Sequence, residues 1–142
     1  MSLGVVATQI HTTIRDGDAM ERAWAIAQAG ENKVRVGAVL KKGRITLAEA
    51  YNKHRNPVEN VEYGDATVHA EAAVLKHAKR GSTLYVGRLG VIGVPLPSHP
   101  CSTCMGLIEK SEVSKLVFLD ESGKLVKVRL GRARRGGCKK KS

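Results

Sequence analysis

The chain is short of several residue patterns, and each shortage excludes something. Three cysteines in 142 residues are too few, and odd in number, for a disulfide-stapled secreted domain, so a reducing, cytoplasmic location is expected. No apolar run reaches the roughly 18 residues that a membrane-spanning helix needs, so no membrane partner is expected. The N-terminus lacks the basic-then-apolar order of a secretory signal. There is neither an internal repeat nor a Pro/Ser-rich linker, and 142 residues suit one compact domain. The aromatics are Trp24, Tyr51, Tyr63, Tyr85 and Phe118 alone, which leaves few platforms for stacking against bases.

What is present in excess is positive charge. With 42% hydrophobic and 26% charged residues the chain can fold around a core, and its formal net charge is +11. Arg129, Arg132, Arg134, Arg135, Lys139, Lys140 and Lys141 supply seven of the 24 basic residues, with no acid after Glu121. The other 17 face 13 acids, a balance of +4. The expected organisation is a folded domain over residues 1–130 and a basic, flexible tail over 131–142. Such a tail suits contact with a polyanion through counterion release, and equally suits a solvated end that does little.

Hydrophobic spacing and turn residues predict the elements. A helix spans Asp18 to Ala29, capped by Asp18 with Glu21 three residues on, and carries Met20, Ala23, Trp24 and Ala27 on one face. Val34–Leu40 and Ile45–Tyr51 form a hairpin across Lys42-Gly43. A polar loop over 52–66 leads to a second helix, Val68 to Lys79, and a short strand, Thr83–Val86. Gly87 to His99 reads as irregular, and Pro100 opens a third helix to about Lys110. Val113–Leu119 and Lys124–Leu130 are strands joined by a tight turn at Asp120–Gly123, hence an antiparallel pair, with Val126, Val128 and Leu130 on one side. The class is α/β, a mixed sheet of about five strands covered by helices.

Two short segments carry chemistry. His69-Ala70-Glu71 opens the second predicted helix, and Pro100-Cys101-Ser102-Thr103-Cys104 opens the third. A catalytic zinc site uses three nitrogen or thiolate ligands plus water, and His69, Cys101 and Cys104 supply that set. Cys101 and Cys104 are three residues apart, so on a first helical turn both sulfurs face the same way, where the helix N-terminus favours thiolate. Glu71 lies two residues from His69, beside the metal rather than on it, where it can shuttle protons. Separately each element is commonplace: lone histidines at helix starts are often structural, and one C-x-x-C is more often incidental or redox. Their combination and order are specific.

The pair H-A-E and P-C-x-x-C resembles the cytidine deaminase superfamily, whose zinc nucleobase deaminases carry this signature. The resemblance covers about Met20 to Leu130 and implies a three-layer α-β-α fold with a Zn2+ cofactor. It implies that zinc on His69, Cys101 and Cys104 lowers the pKa of its water, and that Glu71 moves a proton from that water to the ring nitrogen and then helps ammonia leave. It places Asn52 at the sugar, with Ala70 and Pro100 as further substrate contacts; His54, in the polar loop after Asn52, is a further candidate contact by its position. Ala70 must be small for helix and metal to approach, or is ordinary core.

The first ligand position is His69 rather than the cysteine usual in free-nucleoside deaminases. The antiparallel last strand, by contrast, resembles nucleoside and toxin-type polynucleotide deaminases more than tRNA adenosine or deoxycytidylate enzymes. Three readings follow. In the first, cytosine becomes uracil in DNA or RNA, with Lys53, Arg55, Arg88 and the tail as cations; the bland alternative for Lys53 and Arg55 is a solvated loop. In the second, the substrate is a free cytosine nucleotide or nucleoside, in a chain compatible with a homo-oligomer. In the third, the chain is a zinc-stabilised nucleic-acid-binding module, with His99 or Cys138 as a fourth ligand; Glu71 argues against this.

Overall fold

The alternation of buried side chains along three strands sets the architecture. In β2 (Arg35–Lys42), β6 (Ser82–Leu89) and β8 (Val113–Leu119), Ala38, Leu40, Leu84, Val86, Leu116 and Phe118 enter one core. Val39, Tyr85 and Val117, one residue out of phase, enter a second core on the opposite face. A sheet buried on both faces must be covered on both faces. Helix α1 (Ile14–Ala27) covers the second, through Ala19, Met20 and Ala23. Helices α2 (Ala70–Leu75) and α3 (Ser102–Lys110) cover the first, through Ala70, Val74 and Ile108. This is the expected three-layer α-β-α arrangement, seen here in a computed structural model that describes residues 5–29, 35–54, 67–68 and 70–132.

The sheet runs β1 (Val5–Ile10), β9 (Leu125–Arg132), β8, β6, β2, β3 (Ile45–Tyr51), and β7 (Pro95–Leu96) adds a short pairing to β6. Every pair is antiparallel except β6 with β8, so the sheet is mixed as expected. It has seven strands rather than about five. One addition is β1, which pairs with β9 from a stretch without a clear pattern. The other is β7. Within the segment read as irregular, β6 continues to Leu89 and the chain doubles back through Gly93, at φ +82°. That return sets Leu96 against Arg88 and Pro95 against Leu89. A small pair, β4 (Lys53–His54) with β5 (Thr67–Val68), stands apart from the main sheet.

The last two strands form the expected antiparallel hairpin. Asp120 builds its turn: the carboxylate accepts the N–H groups of Ser122 and Lys124, both at 2.9 Å, and Gly123 takes φ +86°. Val126, Val128 and Leu130 share one face, packed on the first core.

Three helix boundaries differ from expectation. The first helix starts at Ile14 and is capped by Thr13, not Asp18. Thr13 and Asp16 form the reciprocal box: the Asp16 N–H donates to Thr13 Oγ1 at 3.3 Å and the Thr13 N–H to Asp16 Oδ2 at 2.8 Å. The second helix is confined to Ala70–Leu75, because Thr67 and Val68 are taken by strand pairing and the chain leaves through tight turns at His77 and Ala78. The third begins at Ser102 with Cys101 as N-cap (φ −66°, ψ 168°), so Pro100 precedes the helix instead of opening it. Among the described residues no helix is long and apolar enough to cross a membrane. Strand β9 reaches Arg132, two residues into the segment read as tail. Tail residues 133–142, including Cys138, lie outside the described residues.

Candidate metal centre and active site

The site forms where strand pairing changes hands. Strand β8 pairs with β6 only as far as Tyr85, opposite Val117. Beyond that, at Arg88 and Leu89, β6 pairs with β7 instead. Open α/β sheets place their ligand crevice outside the carboxyl ends of their parallel strands, and β6 and β8 are the parallel pair here. Ser98 spans the gap. Its hydroxyl donates to the Val86 carbonyl at 2.7 Å and accepts the Leu119 N–H at 2.9 Å, and its own N–H donates to the Leu119 carbonyl at 2.9 Å. Ser98 is 3% exposed, so these bonds are made in a dry environment that penalises their loss. The chain that carries His99, Pro100 and Cys101 is thereby stapled to the ends of β6 and β8.

His99 follows. Its ring meets Phe118 edge-on at 4.9 Å, and its Nδ1 lies 2.9 Å from the Pro100 carbonyl. A carbonyl only accepts, so Nδ1 carries a hydrogen in this contact. One residue beyond Pro100, Cys101 caps α3, and Cys104 is buried one turn on. Neither is disulfide-bonded.

The opposing wall is the start of α2. Ala70 is fully buried in the first core, and Glu71 is 6% exposed. The Cys104 thiol is in hydrogen-bond contact with both Cys101 and Glu71. Burial, first, and then the Glu71 carboxylate and the Cys101 sulfur push that thiol well above its ordinary range. Beside this cluster opens a cavity of about 270 Å³, walled by Val36 and Val86 and lined by Glu71, Cys101, Ser98, His99 and Arg88.

Of the residues singled out in the sequence, the structure brings Glu71, Cys101 and Cys104 together, with Ala70 packed behind them. His69 lies outside the described residues, as do Arg55 and the rest of loop 55–66. Asn52 stands at the end of β3, where its side-chain carbonyl accepts the Val36 N–H at 2.8 Å and its own N–H donates to the Val36 carbonyl at 3.0 Å. It therefore holds a residue of the cavity wall in place. Pro100 is buried, and His54 stands in β4 in register with Thr67. Sequence reading missed Ser98, Val36 and Val86. Only Ser98 left a trace, as a small polar residue between Pro97 and Pro100, in a stretch where the chain must turn.

Among the described residues no group of three or more His, Cys, Asp or Glu side chains is gathered closely enough to hold an ion, and the two thiols are two donors of a set that needs a further ligand from outside them. The thiols supply zinc's preferred donors, and binding would displace the protons that burial and the carboxylate hold on Cys104.

A family model for the cytidine and deoxycytidylate deaminase zinc-binding region matches residues 13–120, and the chain belongs to that family, whose metal is zinc. Among solved structures, the chain is similar to cytidine deaminase from Burkholderia pseudomallei, at 19% identity over 86% of this chain and 94% of that one, with a TM-score of 0.56. It is also similar to dCMP deaminase from the cyanophage S-TIM5, in complex with dCMP and dUMP, at 22% identity over 75% and 82% of the two chains, with a TM-score of 0.50. A tRNA:A34 deaminase matches at 22% identity over 72% and 74%, with a TM-score of 0.47. No curated protein matches the chain.

Proposed function

We propose that the chain is a zinc-dependent hydrolytic deaminase that converts cytosine to uracil, with water consumed and ammonia released, in a nucleic acid. The observation that carries the reading is the contact of the Glu71 carboxylate with the Cys104 thiol at the edge of a cavity sized for a base and its sugar. His69, Cys101 and Cys104 would hold the metal. Zinc, when bound, acts as a Lewis acid that makes water acidic enough to attack near neutral pH.

The chain's own residues do the rest. Glu71, buried and beside the thiols, takes one proton from the attacking water and delivers it to the ring nitrogen, then carries the second proton from the newly added hydroxyl to the departing amino group, so that the carbonyl forms as ammonia leaves. Val36 and Val86 give the base apolar walls, and Ala70 leaves room for the approach of α2. The net charge of +11, much of it near the C-terminus, supports a polyanionic substrate. A base within a strand would have to be unstacked to enter.

A second reading, a free cytosine nucleotide or nucleoside, is favoured by the small cavity and the scarcity of aromatics. The experiment is ammonia release, with product identified by mass, from deoxycytidine, cytidine, their monophosphates and single- and double-stranded oligonucleotides, with Glu71→Gln as blank. Turnover confined to oligonucleotides supports the first reading, and turnover confined to the small substrates the second. No turnover on any of them sinks both. Truncation after Arg132, which spares the pairing of β9 with β1, should weaken oligonucleotide binding and flatten its salt dependence if the tail contacts phosphates.

A further inference from the structure

Arg88 stands at a register position that the rest of its strand gives to the core. Along β6, Leu84 and Val86 enter the core beneath α2 and α3, and Arg88 follows at the same two-residue period. Its cross-strand neighbours, Val36 on β2 and Leu96 on β7, are apolar. A guanidinium cannot continue that core, and Arg88 is exposed where it lines the same cavity as the buried Glu71.

Two other arginines among the described residues are already engaged. Arg35 donates to the Gly90 carbonyl at 3.1 Å, and Arg22 grips Glu49 at 2.8 and 2.9 Å. Among the described residues no carboxylate pairs with Arg88. Among the described residues that line the cavity, Glu71 is the single acid and Arg88 the single permanent cation. At about 270 Å³ the cavity has room for a base and sugar, so what is attached to the sugar falls at the rim.

We infer that Arg88 recognises a phosphate of the substrate, so that the enzyme selects nucleotides or polynucleotides over free nucleosides; this rests on the deaminase reading above. The planar guanidinium fork matches a phosphate bidentately, and its exposure leaves it open to a ligand entering from solvent.

The test uses the zinc-loaded full chain, with Arg88→Ala and Arg88→Lys. Calorimetric titrations with deoxyuridine, dUMP and a deoxyuridine-containing oligonucleotide run beside turnover of the matching cytosine compounds. The native protein should bind dUMP roughly 10- to 100-fold more tightly than deoxyuridine, the range for hydrogen bonds to a charged group. The preference should collapse toward unity in Arg88→Ala and recover in part in Arg88→Lys. Oligonucleotide affinity well above that for dUMP makes the phosphate a backbone one, and equal or lower affinity makes it a mononucleotide's. The inference is overturned if the native protein binds both small ligands alike, or binds neither, or if Arg88→Ala weakens both by the same factor. Phosphate-dependent binding without deamination of any substrate would instead uphold Arg88 and sink the deaminase reading.

Discussion

Gly37 on β2 and Gly87 on β6 stand opposite each other, and together they form a patch of sheet with no side chains. Helix α1 lies directly on it. A Cβ at Gly37 would come within 2.0 Å of the Ala23 carbonyl oxygen and 2.8 Å of the Ala27 nitrogen, and one at Gly87 within 2.7 Å of the Trp24 ring. The paired glycines let the backbone of α1 approach the sheet where alanines could not.

Gly37→Ala should therefore destabilise strongly, because the obstructing atoms are helix backbone and cannot rotate aside. A loss of about 1–3 kcal/mol or more, the range for overpacking, is expected in chemical denaturation. Gly87→Ala should be the milder change, since the Trp24 side chain can move. A Gly37→Ala variant as stable as the native protein would contradict this account of the α1 contact.

Cys104→Ser should lose bound zinc, measured as metal per chain by atomic spectroscopy, together with several degrees of melting temperature. The metal would link α3 to the start of α2, and its binding energy is folding energy. Chelation of the native protein should reproduce the thermal shift. Glu71→Gln should keep the metal and lose turnover by roughly 10²- to 10⁴-fold, the range for general acid–base catalysis. Near-native activity in Glu71→Gln would remove the carboxylate from the mechanism.

Ser98→Ala removes the hydroxyl that joins β6 to β8 and leaves the Val86 carbonyl and the Leu119 N–H without it in a buried setting. The expected penalty is about 1–3 kcal/mol. Ser98 acts as a positioning residue for His99 and Cys101. The variant should therefore also lower zinc affinity at temperatures where it remains folded, which a purely global loss of stability would not do. Metal titration at low temperature checks it.

Acid sensitivity should trace to Asp16, which is 2% exposed. Burial alone would raise its carboxyl, but Lys127 at 3.0 Å, the Thr13 N–H and the Tyr85 hydroxyl at 2.8 Å outweigh that and hold it below the ordinary aspartate value. A carboxyl depressed by folding stabilises above its unfolded pKa of about 3.9, and that stability is lost as the pH falls through the folded value. Lys127→Met removes one of the lowering partners, so the loss should begin at higher pH. Stability at pH 7 should also fall, by about 1–3 kcal/mol. Denaturation midpoints from pH 7 down to pH 3 give the comparison. Parallel pH profiles for variant and native protein would rule the network out as the acid-labile element.

Much of this molecule is local and so was legible in the chain. The strands Ile45–Tyr51 and Val113–Leu119 were read with their observed bounds, because alternation and bounding turn residues are properties of neighbours. The final hairpin followed from Asp120 and Gly123, whose turn chemistry spans four residues. The resemblance of H-A-E and P-C-x-x-C to a zinc-binding deaminase family was legible too, since residue types and their spacing are written in order along the chain. Some local signals misled: Thr13 and Asp18 both suit a helix cap, and only the burial of Asp16 against Tyr85 and Lys127 decides for Thr13. The close approach of α1 at Gly37 was not read from the chain, because the helix that meets it is named by no neighbouring residue.

Tertiary structure decided what depends on residues far apart in sequence. That β1 pairs with β9, and that β6 hands over from β8 to β7, rests on hydrogen bonds between strands whose own patterns do not name a partner. The contact of Glu71 with Cys104 and the bridging of Val86 to Leu119 by Ser98 follow from that pairing. So does the placing of Arg88 in the cavity lining, a core register position on a strand that runs out of core. The sequence by itself determined the types and order of the candidate ligands, because H-A-E and P-C-x-x-C are runs of neighbouring residues. Only the packing of α2 and α3 on one face of the sheet decided that Glu71, Cys101 and Arg88 line one cavity, because no local pattern names a partner across the sheet.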